Sequence, residues 1–311
     1  MLEVNNISYE GYDAYQLKNE LISLILLPAV GGRIVSYSNF NHEFLYTIPE
    51  LKGRTYSLEG IVDIEAYRKD LDYVPAGGYK TWLAPQSKWG WPPYLDLAIG
   101  DYDFEYEINN QQLEFRLLSP KCRETGMQLS RTIILSAGSD RVKVKQGMKN
   151  CSNQVKEYGL WDVTQLKGQA KVIFPVQSSQ DIKFLKESKS DTEVECKEVA
   201  GKLLAVITCL GEEEFKLGTS FSEGWILTLV EEEDYQLGYL KEFPVFSNPV
   251  FGHDCALEVF DTYKYDYLEV EVHGPMKKLK VGEETSFTEE WTTYQWSKNE
   301  SLAQIISDLK I

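Results

Sequence analysis

The sequence predicts an all-β fold, an antiparallel sandwich that ends in one short helix. Short runs rich in β-branched and aromatic residues alternate with Gly, Asn, Asp and Ser turns along the 311 residues. No helix-length periodic segment lies between these runs to supply the crossovers that parallel strands need. Apolar residues from Leu302 to Leu309 repeat at i, i+3, i+4 and i+7, and Ser301 can cap them, so a helix is predicted over 301–311.

Individual strands are placed by the same signals. Residues 131–148 predict a hairpin, in which Thr132–Leu135 and Val142–Met148 are joined by the turn Ser136–Asp140. A buried strand is predicted at Leu21–Pro28, and a short helix within Ile61–Leu71. Further strands are predicted at Leu113–Leu118, Leu203–Cys209, Gly224–Val230, Ala256–Phe260 and Tyr267–His273.

The bulk composition bounds the organisation of the chain. Large all-β sandwiches run to about 200–250 residues or more as one unit. No linker, repeat or composition shift divides this sequence. One domain over residues 1–311 is therefore predicted.

Charge and cysteine content exclude several classes of partner. The net charge of -16 argues against nucleic acid, because phosphate backbones are bound by clustered Lys and Arg. The five cysteines are widely spaced and indicate neither a zinc site nor a disulfide framework. The first residues lack a secretory leader, and the longest apolar run, Leu21–Val30, is too short for a bilayer. A cytoplasmic protein without a membrane partner is expected.

The most unusual composition lies in Gly77–Tyr94, which holds three of the seven tryptophans. Its glycines and prolines predict a fixed irregular loop rather than a strand. A sugar presents apolar C–H faces and a ring of hydroxyl groups, so its site needs flat aromatic surfaces beside hydrogen-bonding groups. Trp82, Trp91, Lys80 and Gln86 are therefore candidate sugar-binding residues. Alternatively, the rings only close the end of a sandwich.

A second candidate segment is Tyr158–Leu166, where polar residues interrupt a strand-like run. Alternation puts Trp161 and Gln165 on one face of the strand and Asp162 on the other. Trp161 and Gln165 are candidate binding residues. Asp162 reaches the same pocket only if the strand bulges, and otherwise is a buried Asp held by backbone amides.

A third candidate segment is Tyr267–Pro275. Alternation places Glu269, Glu271 and His273 on one face of the strand and apolar residues on the other. Inside a concave sheet, two carboxylates and an imidazole form a place where a carboxylate's pKa can be tuned for proton transfer. On an exposed sheet they are merely solvated.

Together these segments resemble the galactose-mutarotase-like superfamily, in a branch whose domain is of unknown function. LLPAVGGRIVSY (Leu26–Tyr37) is similar to the early strand and Gly-Gly turn of that superfamily. The segments that follow in the expected order are GGYKTWLAPQSKWGWPP, LWDVTQL and YLEVEVHGPMKKLKVGEETSFTEEW. The resemblance spans roughly Leu2 to Trp291. It implies a β-supersandwich of antiparallel sheets whose concave face binds a sugar, usually without a required metal, and no cofactor is expected.

The resemblance also implies catalytic roles. In mutarotases a glutamate late in the chain acts as general base on the anomeric hydroxyl, and a mid-chain histidine protonates the ring oxygen. Glu271 stands where that glutamate is expected, with Glu269 as the competing alignment. No histidine occupies the mid-chain region, so the acid must be another group, for which Asp162 and Lys80 are candidates. Arg33 either holds a ligand hydroxyl or carboxylate, or forms a structural salt bridge.

Three functions remain open at this point. The first is a carbohydrate-binding, mutarotase-like protein, an epimerase on an unusual or acidic sugar with Glu271 as base. The second is a non-catalytic sugar sensor or accessory module, which the missing histidine favours. The third is a polysaccharide lyase or hydrolase, which rests on shared architecture alone.

Overall fold

The computed structural model describes residues 1–49, 53–74, 76–186, 188–190, 192–309 and 311. These residues form two antiparallel sheets and three short α-helices, which confirms the all-β prediction. The strands are β1 (Glu3–Tyr9), β2 (Tyr12–Lys18), β3 (Ser23–Leu27), β4 (Arg33–Asn39), β5 (His42–Glu43), β6 (Tyr79–Ala84), β7 (Asp103–Ile108), β8 (Gln112–Leu118), β9 (Met127–Ser136), β10 (Val142–Asn150), β11 (Lys156–Lys167), β12 (Ala170–Pro175), β13 (Ile182–Phe184), β14 (Val194–Val199), β15 (Lys202–Cys209), β16 (Phe215–Thr219), β17 (Trp225–Glu231), β18 (Tyr235–Glu242), β19 (Leu257–Asp261), β20 (Tyr267–His273), β21 (Lys277–Leu279) and β22 (Glu284–Ser297). The helices are α1 (Ile64–Asp70), α2 (Leu95–Ala98) and α3 (Leu302–Leu309).

The strands divide into a twelve-stranded and a ten-stranded sheet. The first has the order β1-β2-β3-β4-β6-β11-β20-β19-β16-β13, with β5 paired to β4 and β21 to β11. The second has the order β14-β15-β12-β17-β18-β22-β10-β9-β8-β7. The main hydrophobic core lies between them, where Val270 and Val272 of β20 belong to the same cluster as Val144 of β10 and Trp291 of β22. The alternating apolar residues of each strand supply this core.

Several predicted elements are confirmed. The hairpin pairs β9 with β10, with Val142 opposite Leu135. Helix α1 lies inside the predicted segment and is capped by Asp63, whose side chain accepts a hydrogen bond from the Ala66 amide. Helix α3 buries Ile305 in a cluster with residues of the ten-stranded sheet. Its predicted range includes residue 310, which is outside the described residues. None of the helices in the described part of the chain is long and apolar enough to cross a membrane.

The prediction of an irregular loop over Gly77–Tyr94 is wrong in its first half. Tyr79–Ala84 forms β6, which lies between β4 and β11 in the middle of the sheet. Gly78 leads into it with a φ of 66°, and a Cβ there would lie 2.2 Å from the carbonyl oxygen of Ile34. Only glycine allows this approach of two backbones. Irregular structure begins at Pro85, since proline cannot donate to a strand ladder.

Candidate functional site

The outer face of the twelve-stranded sheet, which points away from the ten-stranded sheet, carries most of the predicted site residues. The pairing register places them in three rows across neighbouring strands. The first row is Trp82, Trp161 and His273. The second row is Lys80, Val163, Glu271 and Glu258. The third row is Gln165, Glu269, Phe260 and Lys216.

Asp162 does not belong to this face. Its carboxylate pairs with Lys241 of β18, a strand of the ten-stranded sheet, so it lies in the interior of the sandwich. Strand β11 pairs regularly with β6 and β20 at this point, without a bulge that would turn Asp162 outward. The expected convergence of Asp162 with Glu271 is therefore corrected: the two carboxyl groups lie on opposite faces of one sheet.

Glu271 lies in the middle of the outer face and is completely buried. Its Oε2 accepts hydrogen bonds from Trp161 Nε1 at 2.7 Å and from Lys216 Nζ at 3.1 Å. Its Oε1 accepts none from the described residues. Burial raises the pKa of Glu271 well above its usual range and outweighs the neighbouring Lys216 ammonium. This environment favours the protonated form of the carboxyl group more than water does.

Glu258 is the cross-strand partner of Glu271 and carries the negative charge of the pair. Lys216 Nζ lies 2.8 Å from Glu258 Oε2. Burial acts to raise the pKa of Glu258, but Lys216 and then His273 outweigh it and hold that pKa well below its usual range. One cation is thus shared by two carboxyl groups, and their surroundings favour the charged form of Glu258 and the protonated form of Glu271.

Two histidines contact the other carboxylate oxygen of Glu258, Oε1. His253 Nδ1 lies 2.9 Å and His273 Nε2 3.1 Å from Glu258 Oε1. The backbone N–H of Gln86 donates to His253 Nε2 at 3.0 Å, so the proton of that ring is on Nδ1. The ligand atoms of the two histidines and Glu258 lie within 4.8 Å of one another. A protonated Nδ1 has no lone pair for a metal, so the arrangement favours a hydrogen-bonded network over a metal centre.

Lys80 lies at the other end of the second row. Its Nζ is 3.4 Å from Glu269 Oε1 and 5.0 Å from the centre of the Trp82 ring. Burial lowers the pKa of Lys80 to about 8, although Glu269 acts in the opposite direction. Gln165 Nε2 donates to the same Glu269 oxygen at 2.8 Å. An amine, an amide and a carboxylate therefore converge beside an aromatic ring.

Aromatic rings form one end of the outer face. The Trp161 ring stacks on His273 with 5.5 Å between centroids and an interplanar angle of 12°. The edge of Trp82 meets it at 5.1 Å, and the Lys216 ammonium lies 4.9 Å from its centre. Trp91 is 51% exposed and lies 6.2 Å from Trp82, at the rim. The face thus combines flat apolar surface with charged hydrogen-bonding groups.

Two predicted residues have other roles in the structure. Arg33 is buried, and its guanidinium donates to the carbonyl oxygens of Gly77 at 2.9 Å and Ala98 at 3.4 Å, and to the Tyr73 hydroxyl at 3.1 Å. These described partners are neutral oxygens, so Arg33 braces the segment that leads into β6. Gln86 enters the site through its backbone N–H, which fixes the His253 ring.

Sequence reasoning did not assign Lys216, Glu258 or His253. Lys216 and Glu258 each stand between apolar neighbours in a short strand, which is the signal that could have found them. A charged residue in a buried strand needs a partner, and both partners lie on other strands. His253 lies in an irregular segment with no periodic pattern.

The two large antiparallel sheets define the class of protein by its fold. The fold is that of the galactose mutarotase-like proteins. The chain is 13% identical to such a protein from Clostridium acetobutylicum, covering 95% of this chain and 99% of that one with a TM-score of 0.54. For another from Lactobacillus casei the identity is 10%, the coverages are 90% and 100%, and the TM-score is 0.54. A protein from Synechocystis sp. PCC 6803 is 13% identical to the chain, with 93% of this chain and 99% of that one covered and a TM-score of 0.59.

Within that fold the chain belongs to the DUF4380 family, described as a domain of unknown function, which matches residues 13–294. A comparison with curated proteins gives no match. The resemblance to the galactose-mutarotase-like superfamily is confirmed at the level of the fold.

Proposed function

We propose that the outer face binds the ring of a sugar and that the protein interconverts its anomers, with Glu271 exchanging a proton with the anomeric hydroxyl. One observation carries this proposal. Glu271 is buried in the middle of the face, and its Oε1 accepts no hydrogen bond from the described residues. An acceptor that is removed from water and left without a partner is costly unless a ligand completes it.

The neighbours of Glu271 fit a sugar. Trp91, half exposed at the rim, offers a flat surface to C–H groups, and Trp82 lies behind it with 6.2 Å between ring centroids. Lys80 and Gln165 offer N–H donors, and Glu269 offers an acceptor. Positive and negative groups are both present, so neutral and acidic sugars are both candidates for the ligand.

The charge state of Glu271 sets how the proton moves. A general base must first lose its proton, so the raised pKa of Glu271 shifts base catalysis to higher pH than for an ordinary glutamate. The carboxylate, once formed, takes the anomeric proton and the ring opens. As the bond between C1 and the ring oxygen breaks, the ring oxygen takes a proton from water. The hydroxyl group so formed then adds to either face of the C1 carbonyl and gives its proton to the hydroxide, while Glu271 returns the first proton to the carbonyl oxygen, so that either anomer forms.

A second candidate function is sugar binding without turnover. It is favoured by Trp161, which donates to Glu271 in the region where the resemblance expects a proton-donating histidine. An indole N–H donates a hydrogen bond but does not transfer its proton at neutral pH. A sensor or accessory module needs only the aromatic and polar surface.

Exchange NMR and polarimetry over a panel of neutral and acidic aldoses test the proposal. The wild-type chain should accelerate anomer exchange of at least one sugar. Glu271→Gln should lower that acceleration by about 10²–10⁴-fold while calorimetry shows nearly unchanged binding. Glu213→Gln, on an exposed turn, is the matched control and should behave as wild type.

The other outcomes separate the two functions. Uncatalysed exchange with every sugar removes the epimerase proposal. Saturable binding that Trp91→Ala abolishes, in the absence of exchange, supports the binding protein instead. Lack of binding by every sugar in the panel contradicts both functions.

A further inference from the structure

Three lysines of the described chain are almost fully buried, and they differ in their partners. Lys216 contacts two carboxyl groups, at 2.8 and 3.1 Å. Lys241 also contacts two, those of Asp162 and Glu289. Lys80 has a single carboxylate, at 3.4 Å. An ammonium group with three donors is poorly satisfied by one long contact, so Lys80 is the buried lysine least committed to an ion pair.

The surroundings of Lys80 favour the free amine. Val163 stands directly across from it, and the face of the Trp82 ring lies beside it. With a pKa of about 8, about half of the Lys80 side chains are neutral at pH 8, on the order of a hundredfold more than for an ordinary lysine. A desolvated amine of this kind is a nucleophile towards carbonyl carbon.

Lys80 is also placed to meet an opened sugar. In the second row, Lys80 and Glu271 lie on either side of Val163, whose side chain is small. The Cα atoms of Lys80 and Glu271 are two strand spacings apart, about 10 Å. Glu269, its carboxylate partner, keeps 13% of its side-chain surface in solvent, and Trp91 at the rim is half exposed. Solvent therefore reaches this part of the face at Glu269 and Trp91.

We propose that Lys80 forms an imine with the carbonyl carbon of an open-chain sugar. This inference rests on the proposed function, because ring opening at Glu271 exposes the aldehyde at C1. The Nζ lone pair attacks that carbon to give a carbinolamine. The carbonyl oxygen then leaves as water with the two protons that the amine gives up, and a C=N bond remains. No oxidant or reductant takes part.

The imine would allow the site a second reaction in addition to anomer exchange. Once its nitrogen has taken up a proton from water, the imine withdraws electrons from the neighbouring C–H bond more strongly than a free aldehyde. Removal of the proton at C2 is then the next step open to the bound sugar, which is the class of chemistry that moves a carbonyl group or inverts C2.

Reductive trapping tests the inference. The chain is incubated at pH 8 with borohydride and either D-glyceraldehyde, which forms no pyranose ring, or D-glucose, and the peptides are mapped by mass spectrometry. Lys80 should carry one reduced adduct in a saturable reaction, with labelling about tenfold or more above that of the exposed Lys88. Lys80→Arg should lose this adduct, and Lys88→Arg should keep it.

The outcomes distinguish the two proposals. Anomer exchange by wild type together with glyceraldehyde label spread evenly over surface lysines overturns the imine and leaves the proposed function standing. Label on Lys80 with glyceraldehyde, in a chain that exchanges no anomers, supports the imine and overturns the proposed function. The wild-type peptide map decides the first point even if Lys80→Arg fails to fold.

Discussion

Two clusters of similar composition lie on opposite faces of the twelve-stranded sheet, and each has one lysine between two carboxyl groups. The outer cluster is Lys216, Glu258 and Glu271. The inner cluster is Lys241, Asp162 and Glu289. In each, burial raises the pKa of one carboxyl group, Glu271 or Asp162, well above its usual range. Residue types alone therefore do not distinguish a structural cluster from a ligand-binding one.

The clusters differ in where their members come from. The inner cluster joins β11 to β18 and β22, so it links the two sheets through the core. Thr164 and Trp291 add hydrogen bonds to it at 2.7 and 3.1 Å. The outer cluster is built on β16, β19 and β20 of one sheet. The two positions therefore differ: the inner cluster links the two sheets, and the outer one lies on the face that we propose binds a sugar.

The largest effect on stability is expected when the inner cluster loses its lysine. Lys241→Met leaves two carboxyl groups buried without their cation, and the free energy of unfolding should fall by about 3–5 kcal/mol, as measured in urea. Lys216→Met, the matched change in the outer cluster, should cost less because Lys216 lies closer to solvent. Equal losses for the two variants would contradict the distinction between the clusters.

The next effect concerns the outer cluster and pH. If Glu271 acts as base, catalysed anomer exchange should rise by about tenfold per pH unit while Glu271 is mostly protonated, and level off above its pKa. The raised pKa places this rise above the usual range of a glutamate. The measurement is exchange NMR across pH, with the uncatalysed rate subtracted. A rate that falls as pH rises would instead make Glu271 the acid.

The smallest effect is expected at Asp162. Burial and the neighbouring Glu289 raise its pKa, which favours the protonated carboxyl group, and asparagine has the shape of that protonated group. Asp162→Asn should change the free energy of unfolding by about 1 kcal/mol or less and leave anomer exchange unchanged. A loss of exchange of about a hundredfold would instead support the role of general acid that was considered for Asp162 from the sequence.

Alternation along single strands was the most informative sequence signal. In β20 it predicted that Glu269, Glu271 and His273 share a face, and the register places them so. In β11 it separated Trp161 from Asp162. Both inferences hold because side-chain direction in a strand is a local property with a period of two.

What the sequence did not provide depends on contacts between distant strands. Lys216 meets Glu271 across 55 positions, and no local pattern links them. Tyr79–Ala84 was predicted as loop because neighbouring glycines and prolines dominate the segment, although they only bound a strand. Pairing with β11 and burial in the sheet determine its conformation, and both act over long range.

The apolar side of β20 has a consequence for its polar side. Leu268, Val270 and Val272 are wholly buried between the sheets, and they fix the strand against slipping. A shift of one residue would turn these side chains outward and drive both carboxyl groups and the imidazole into the hydrocarbon interior. The position of the reactive groups is thus maintained by aliphatic residues on the opposite face of the strand. A conservative change there, such as Val270→Thr, should therefore lower the proposed activity although Val270 contacts no ligand.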